Sequence, residues 1–465
     1  MTEPSALSLI PPVVVLSLAI WLRRPMLALI IGTLVGLMLI NPSPSYLLDQ
    51  FSTISVDVMQ DPTIAWLILV CGSFGALIAL LVHAGGAMAF GQSALKITKS
   101  RKSSLLMTFV LGVVIFIDDY LNALTVGETM KRVTDKYRVS REMLAYVVDS
   151  TAAPICVLIP LSTWAVFFSG LIENTGSASV GEGITLYIQS IPYMLYAWFA
   201  VLMVLLVCLG IMPNIGPMKK AEFRAHPRSA GAMHVNHAEL TADPYAVEAI
   251  NAEFANQQIE HGKLYNFMVP ILLLVGSTIY FGVDIWKGLL VTLTFTIIFF
   301  SAQKLIRLDD MMKQMFDGFQ TMLPAIGIVI AAFMFKAMSD MLGMPQYVIQ
   351  SLMPFMSPAL LPAIIFVAMA ILAFATGSSW GVFAVTIPIV MPLAHSIDAN
   401  IPLVIGALLS ASSFGSQACF YSDSTVLAAQ GSGCDLMGHA LTQLPYALIA
   451  AFMALISFLV LGFYF

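Results

Sequence analysis

The sequence predicts an all-α polytopic membrane protein made of two inverted repeats, each with a re-entrant hairpin and a broken helix. Three observations predict it. Of 465 residues, 59% are hydrophobic and only 10% charged, with a mean hydropathy of +0.90, whereas soluble domains carry about 25% charged residues. Two adjacent acids, Asp118 and Asp119, interrupt an otherwise apolar stretch; carboxylates at membrane depth persist where an ion, a proton or a substrate needs them. Finally, the polar interruptions of the second half repeat those of the first in the same order, the sequence mark of a secondary transporter.

Composition also excludes. The net charge of −5 says little, because orientation follows the side on which basic residues lie. No basic segment precedes the first apolar run, which therefore reads as a span and not a cleaved signal. The cysteines Cys71, Cys156, Cys208, Cys419 and Cys434 are odd in number and lack metal-ligand spacing, so they read as small buried side chains. No phosphate loop, dinucleotide fingerprint or zinc motif is present. The expectation is no enzyme, no bound cofactor and no nucleic-acid partner, but a multi-pass protein of the cytoplasmic membrane.

In chain order, 1–60 supplies N-terminal scaffold helices, with spans over 6–21 and 26–40 separated by Arg23 and Arg24. Residues 61–172 form the first transport repeat. A span over 63–90 leads to the basic cluster Lys96, Lys99, Arg101 and Lys102; the next is Lys131, Arg132, Lys136, Arg138 and Arg141. Both belong on the cytoplasmic side. The 28 residues between them, 103–130, are too few for two crossings of about 20 residues each, so a re-entrant hairpin turns near 118–122. Irregular backbone at that depth needs protein or a wet cavity around it. A long span over 142–172 follows, broken at Asp149 to Pro154, Pro160, Ser162 and Thr163.

An outer loop and a returning span fill 173–212. The cytoplasmic connector, 213–263, holds four of the seven histidines (His226, His234, His237, His261); a surface helix over 242–258 and pH sensing compete there with a plain solvated linker. Scaffold helices follow over 264–318. The inverted second repeat, 319–430, has a span over 321–340 and a hairpin tip at 376–381. Its broken helix, 401–430, is interrupted at 412–416 and 421–425. A C-terminal span, 431–465, closes the chain. Sliding Thr163 onto Thr425 gives an offset of 262.

The chemistry gathers at the tips and breaks. Asp118, Asp119 and Asn122 lie at the first tip, where one aspartate binds and the other caps the returning helix; the sequence leaves open which. Asp149, Ser150 and Thr151 open the first break, and Asp423, Ser424 and Thr425 follow the second. Carboxylate and hydroxyl oxygens suit a hard cation, and a desolvated carboxylate can exchange a cation for a proton. Na+ is therefore expected at Asp118, Asp149 and Asp423, with a helix cap the rival role for Asp149. Thr376, Gly377, Ser378 and Ser379 at the uncharged second tip, with Ser162 and Thr163, form either a cradle for a small organic solute or a glycine turn. Trp164 and Trp380 flank them as lining or packing residues. His83, Glu128 and Lys336 are further polar residues in apolar surroundings, and Gly85-Gly86 implies a close helix approach.

Four motifs, taken together, carry a resemblance: Phe-Ile-Asp-Asp-Tyr at 116–120, Asp-Ser-Thr-Ala-Ala-Pro at 149–154, Ala-Thr-Gly-Ser-Ser-Trp-Gly at 375–381 and Tyr-Ser-Asp-Ser-Thr at 421–425. In this order over roughly 60–460, the chain resembles the NhaC-type sodium/proton antiporter family. The resemblance implies an elevator-like carrier, often a homodimer, that exchanges Na+ for H+. It also implies relatives that move amino acids or malate and lactate with sodium or protons. An ion channel, the remaining class, fits two inverted broken-helix repeats less well.

Overall fold

The computed structural model describes residues 5–22, 24–116, 118–174, 182–225, 263–352, 354, 357–377 and 379–465. No β-strand occurs among the described residues. The histidines of the connector and the surface helix expected over 242–258 lie outside them, as does Ser378.

The chain begins with α1 (Ile10–Leu22) and α2 (Pro25–Ile40), the latter opened by a proline whose missing N–H would have no intrahelical partner anyway. An unexpected helix follows, α3 (Pro44–Gln60), which buries Ile54 and Val58 one turn apart. The span expected over 63–90 is divided: α4 (Pro62–His83) stops at Gly85, whose φ is +70°, and α5 (Gly86–Ile97) starts beyond it. A Cβ on Gly86 would lie 2.9 Å from the Phe267 backbone nitrogen, so the close approach expected at the glycine pair is present. His83 is exposed, while Glu128 pairs with Lys131 and Lys336 with Asp340.

The first hairpin consists of α6 (Arg101–Val114) and α7 (Asp119–Lys136). Ser100 and Ser103 cap each other at the start of α6. Fourteen residues at 1.5 Å each reach about 21 Å, short of a core about 30 Å thick. The broken helix runs through α8 (Arg141–Thr151) and α9 (Ala153–Leu158), then bends by 43° into α10 (Thr163–Asn174). The chain remains helical through Asp149, Ser150 and Thr151, kinks at Ala152 and breaks over 159–162, within the two stretches where the sequence places interruptions.

Beyond it come α11 (Gly183–Ser190), α12 (Leu195–Cys208) and the short α13 (Pro217–Arg224). The helices α14 (Tyr265–Tyr280), α15 (Ile285–Ala302) and α16 (Leu308–Met341) follow, then α17 (Met344–Leu352). The second hairpin is α18 (Leu361–Thr376) with α19 (Ser379–Ser396). The second broken helix is α20 (Ile401–Ala418) with α21 (Asp423–Ser432), and α22 (Leu436–Tyr464) ends the chain.

The repeat is clearest at the two breaks. Ser162 Oγ donates to the Cys156 carbonyl six residues back and accepts from Ala165 N–H three residues on. Ser422 Oγ donates to the Ser416 carbonyl and accepts from Thr425 N–H, at the same spacings. These caps set the register at 260, not 262, and pair Thr163 with Asp423.

One apolar core joins α9–α12 to α18–α20 and α22; another joins α4, α7 and α14–α16. Glycines bring backbones together across the repeats. At the α4–α16 crossing a Cβ on Gly75 would sit 2.3 Å from the Gly318 carbonyl oxygen, and at the α7–α21 crossing a Cβ on Gly127 would sit 2.7 Å from the Gly431 carbonyl carbon. Gly127→Ala must push two helix backbones apart, and overpacking of this kind costs about 1–3 kcal/mol. The expected result is a lowered melting temperature of the detergent-purified protein.

Candidate functional site

Three helix N-termini, those of α7, α10 and α21, meet at the first hairpin tip. Asp118 is the N-cap of α7: Oδ1 accepts from the Tyr120 and Leu121 N–H groups at 3.0 and 2.9 Å. Its Oδ2 accepts from Thr163 Oγ1 at 3.0 Å, tying the tip to the start of α10. Asp118 thus has both oxygens engaged and is the capping member of the pair.

Asp119, the first residue of α7, is fully buried. Neither of its oxygens accepts a hydrogen bond of good geometry, although the Trp164 indole interacts with it. Tyr120 O–H donates to Asp423 Oδ2 at 2.5 Å, crossing from one repeat to the other. The second oxygen of Asp423 accepts from Ser424 N–H at 2.9 Å. The positive ends of the three helices favour negative charge at this point, and among the described residues no Lys or Arg pairs with Asp118, Asp119, Asp149 or Asp423.

Asp149 belongs to a second, adjoining cluster. Its place inside α8 rules out the N-cap role. Its carboxylate accepts from Ser424 and Thr425 hydroxyls at 3.2 and 3.3 Å and from Gln443 Nε2 at 2.8 Å, with His439 Nε2 at 3.2 Å. Gln417 extends the network: its Nε2 donates to Ser150 Oγ and its Oε1 accepts from Tyr196 O–H, both at 2.6 Å. All of these groups are buried; both Asp149 oxygens are satisfied, while His439 Nδ1 and Gln443 Oε1 have no partner among the described residues.

The remaining expected residues hold the frame. Asn122 Nδ2 lies 2.6, 3.0 and 2.8 Å from the Gly112, Ile115 and Thr151 carbonyls, which share its two protons, and this ties α6 and α8 to the tip. Thr151 Oγ1 donates back to the Val147 carbonyl at 2.8 Å. At the second tip Thr376 Oγ1 donates to the Leu372 carbonyl at 2.8 Å. Gly377 turns with φ +69° over the Tyr421 ring, where a Cβ would lie 2.5 Å from a ring carbon. Ser378 and the side chains of Ser379 and Trp380 lie outside the described residues.

Asp118, Asp119 and Asp423 therefore gather at one centre and Asp149 at the next, with the adjacent residues Asp423 and Ser424 as the link. No group of three His, Cys, Asp or Glu side chains is arranged to hold a metal ion among the described residues. Sequence reasoning passed over Tyr120, Gln417, His439 and Gln443 as site residues. A signal existed for the last two: they are polar, four apart, and so on one face of an apolar span.

Residues 155–463 match the Na+/H+ antiporter family, a range that includes Asp423 and begins after Asp118, Asp119 and Asp149. An uncharacterized protein of Haemophilus influenzae is 26% identical over 498 aligned positions, covering 99% of this chain and 91% of its own. The malate-2H(+)/Na(+)-lactate antiporter of Bacillus subtilis is 32% identical over 109 residues, 23% of each chain. Among solved structures, the Neisseria gonorrhoeae MtrF protein, described with a class of antimetabolite efflux pumps, aligns over 89% of this chain and 84% of its own. That alignment has 15% identity and a TM-score of 0.39. Among the described residues, five helices are long and apolar enough to cross a membrane, or up to seven with each bent pair taken as one span. By its matched range and its apolar helices, the chain belongs to the Na+/H+ antiporter family and is a multi-pass membrane protein, a secondary transporter and not an enzyme.

Proposed function

We propose that the chain exchanges Na+ for H+ across the cytoplasmic membrane by elevator-like alternating access, with the ion bound between Asp119 and Asp423. The observation that carries this reading is the Asp119 carboxylate: buried, without a hydrogen bond of good geometry, and beside two further acids with no basic partner. A carboxylate so placed is strongly unfavourable as a bare anion. A proton or a cation relieves it equally, and that equivalence is the chemical basis of exchange. Asp118 and Thr163 set the tip, and Asp149 with Ser424 and Thr425 braces the far side of Asp423.

A second reading, Na+- or H+-coupled carriage of a small carboxylate, draws support from the printed activity of the Bacillus subtilis relative. The solute would then sit near Thr376, Gly377, Ser162 and Thr163. Proteoliposomes containing a pH dye separate the two. Exchange alone predicts that an external Na+ pulse makes the interior alkaline with no organic solute present. Proton or sodium movement only when malate or lactate is supplied establishes the second reading, and sodium uptake without proton movement overturns the first.

A further inference from the structure

We infer that Tyr120 is the affinity-setting residue of the cation site: its phenol occupies the Asp423 oxygen that the cation needs and displaces the cation on release. The inference rests on the reading that Asp119 and Asp423 share the ion. Tyr120 is 3% exposed and its ring rests against Trp66, centroids 6.1 Å apart. Its own N–H is held by Asp118, so the ring has a fixed base. From that base the hydroxyl reaches Asp423 Oδ2 at 2.5 Å, the short distance of a charge-assisted hydrogen bond. The other Asp423 oxygen is already held by Ser424 N–H. Each Asp423 oxygen thus already accepts one hydrogen bond, so a cation there shares its oxygen with the Tyr120 phenol or displaces it, whereas the neighbouring Asp119 has only the Trp164 indole beside its carboxylate and no hydrogen bond of good geometry.

A phenol proton and a cation seek the same electron-rich oxygen. Binding must therefore loosen the Tyr120–Asp423 bond, and its re-formation favours departure of the ion. Tyr120 is the first aromatic beyond the acidic pair, so the displacer and the open carboxylate are carried on the same helix start. The bond also joins the two repeats, which makes cation binding and contact between the repeats compete directly.

The test is a Na+ titration of melting temperature on the purified full chain, at constant ionic strength against choline. Tyr120→Phe keeps the ring and removes the donor; its Na+ midpoint should fall about tenfold. Incorporation of 3-fluorotyrosine at position 120 strengthens the donor and should raise the midpoint, and it tests the same point if Tyr120→Phe fails to fold. General damage to the site would raise the midpoint, so the direction of the shift separates displacement from support. A Tyr120→Phe midpoint equal to or above that of the wild type overturns the inference and leaves the exchange reading standing. A wild-type protein that shows no Na+-specific shift removes both.

Discussion

Asp119→Asn stops Na+-driven proton movement, while Asp118→Asn leaves a slower but working carrier. The two residues are adjacent and chemically identical, so the difference lies in their partners. Asp118 serves as a cap, and Asn caps a helix about as well as Asp; the amide still accepts from Tyr120 and Leu121 N–H groups and still faces Thr163. Asp119 has no such duty. Neutralising it removes the charge that balances a buried cation, a loss of several kcal/mol, and each 1.4 kcal/mol is tenfold. The rate should fall at least about 100-fold in the proteoliposome assay. Stability should hold or rise, because a buried anion beside Asp118 and Asp423 is lost, the usual exchange between activity and stability at functional sites.

Asp149→Ala has the largest expected effect on folding. The substitution removes the carboxylate that the Gln443 amide and the His439 ring face, and leaves the Ser424 and Thr425 hydroxyls to the Ser416 carbonyl, around a buried cavity. Removing one member of a buried charged network costs about 3–5 kcal/mol. The melting temperature in detergent should drop sharply. Asp149→Asn should recover most of it, since the amide keeps one acceptor oxygen and the same volume. Recovery by Asn with transport largely retained would identify Asp149 as a brace for α21 and α22; recovery of folding without transport would assign it a charge role as well.

The parts of this architecture that depend on local sequence were legible beforehand. The 28-residue spacing between two basic clusters predicts a re-entrant hairpin, and α6, with 14 residues, is too short to cross. Prolines and hydroxyls mark the first break: the helix ends at Thr151, kinks at Ala152 just before Pro154, and opens fully at Ile159, where Ser162 caps the next segment. The repeat was visible, but matching threonine to threonine gave an offset two residues too long. The serine caps, equivalent in hydrogen bonding, set the true register.

What stayed hidden depends on distance. Nothing local distinguishes Asp118 from Asp119; the choice is made by which carboxylate meets two backbone N–H groups and Thr163. In sequence Asp149 reads as an ion ligand or a helix cap, and its place in a network is hidden because its donors lie 275–294 residues away, on α21 and α22. Tyr120 escaped notice as a site residue because its partner is in the other repeat. The helix α3 was missed because its polar face, with Asp49 and Asp57, lowers its hydropathy below that of a span, although its Ile54 and Val58 still pack inward.

Equilibrium Na+ binding to the purified wild-type, Asp119→Asn and Asp149→Asn proteins reads most directly which carboxylate holds the ion. Wild type and Asp149→Asn should bind Na+, and Asp119→Asn should not, with all three folded by their melting curves. Undiminished Na+ binding by folded Asp119→Asn, or its loss in folded Asp149→Asn alone, would contradict an ion site at Asp119 and Asp423 and move it to the Asp149 cluster.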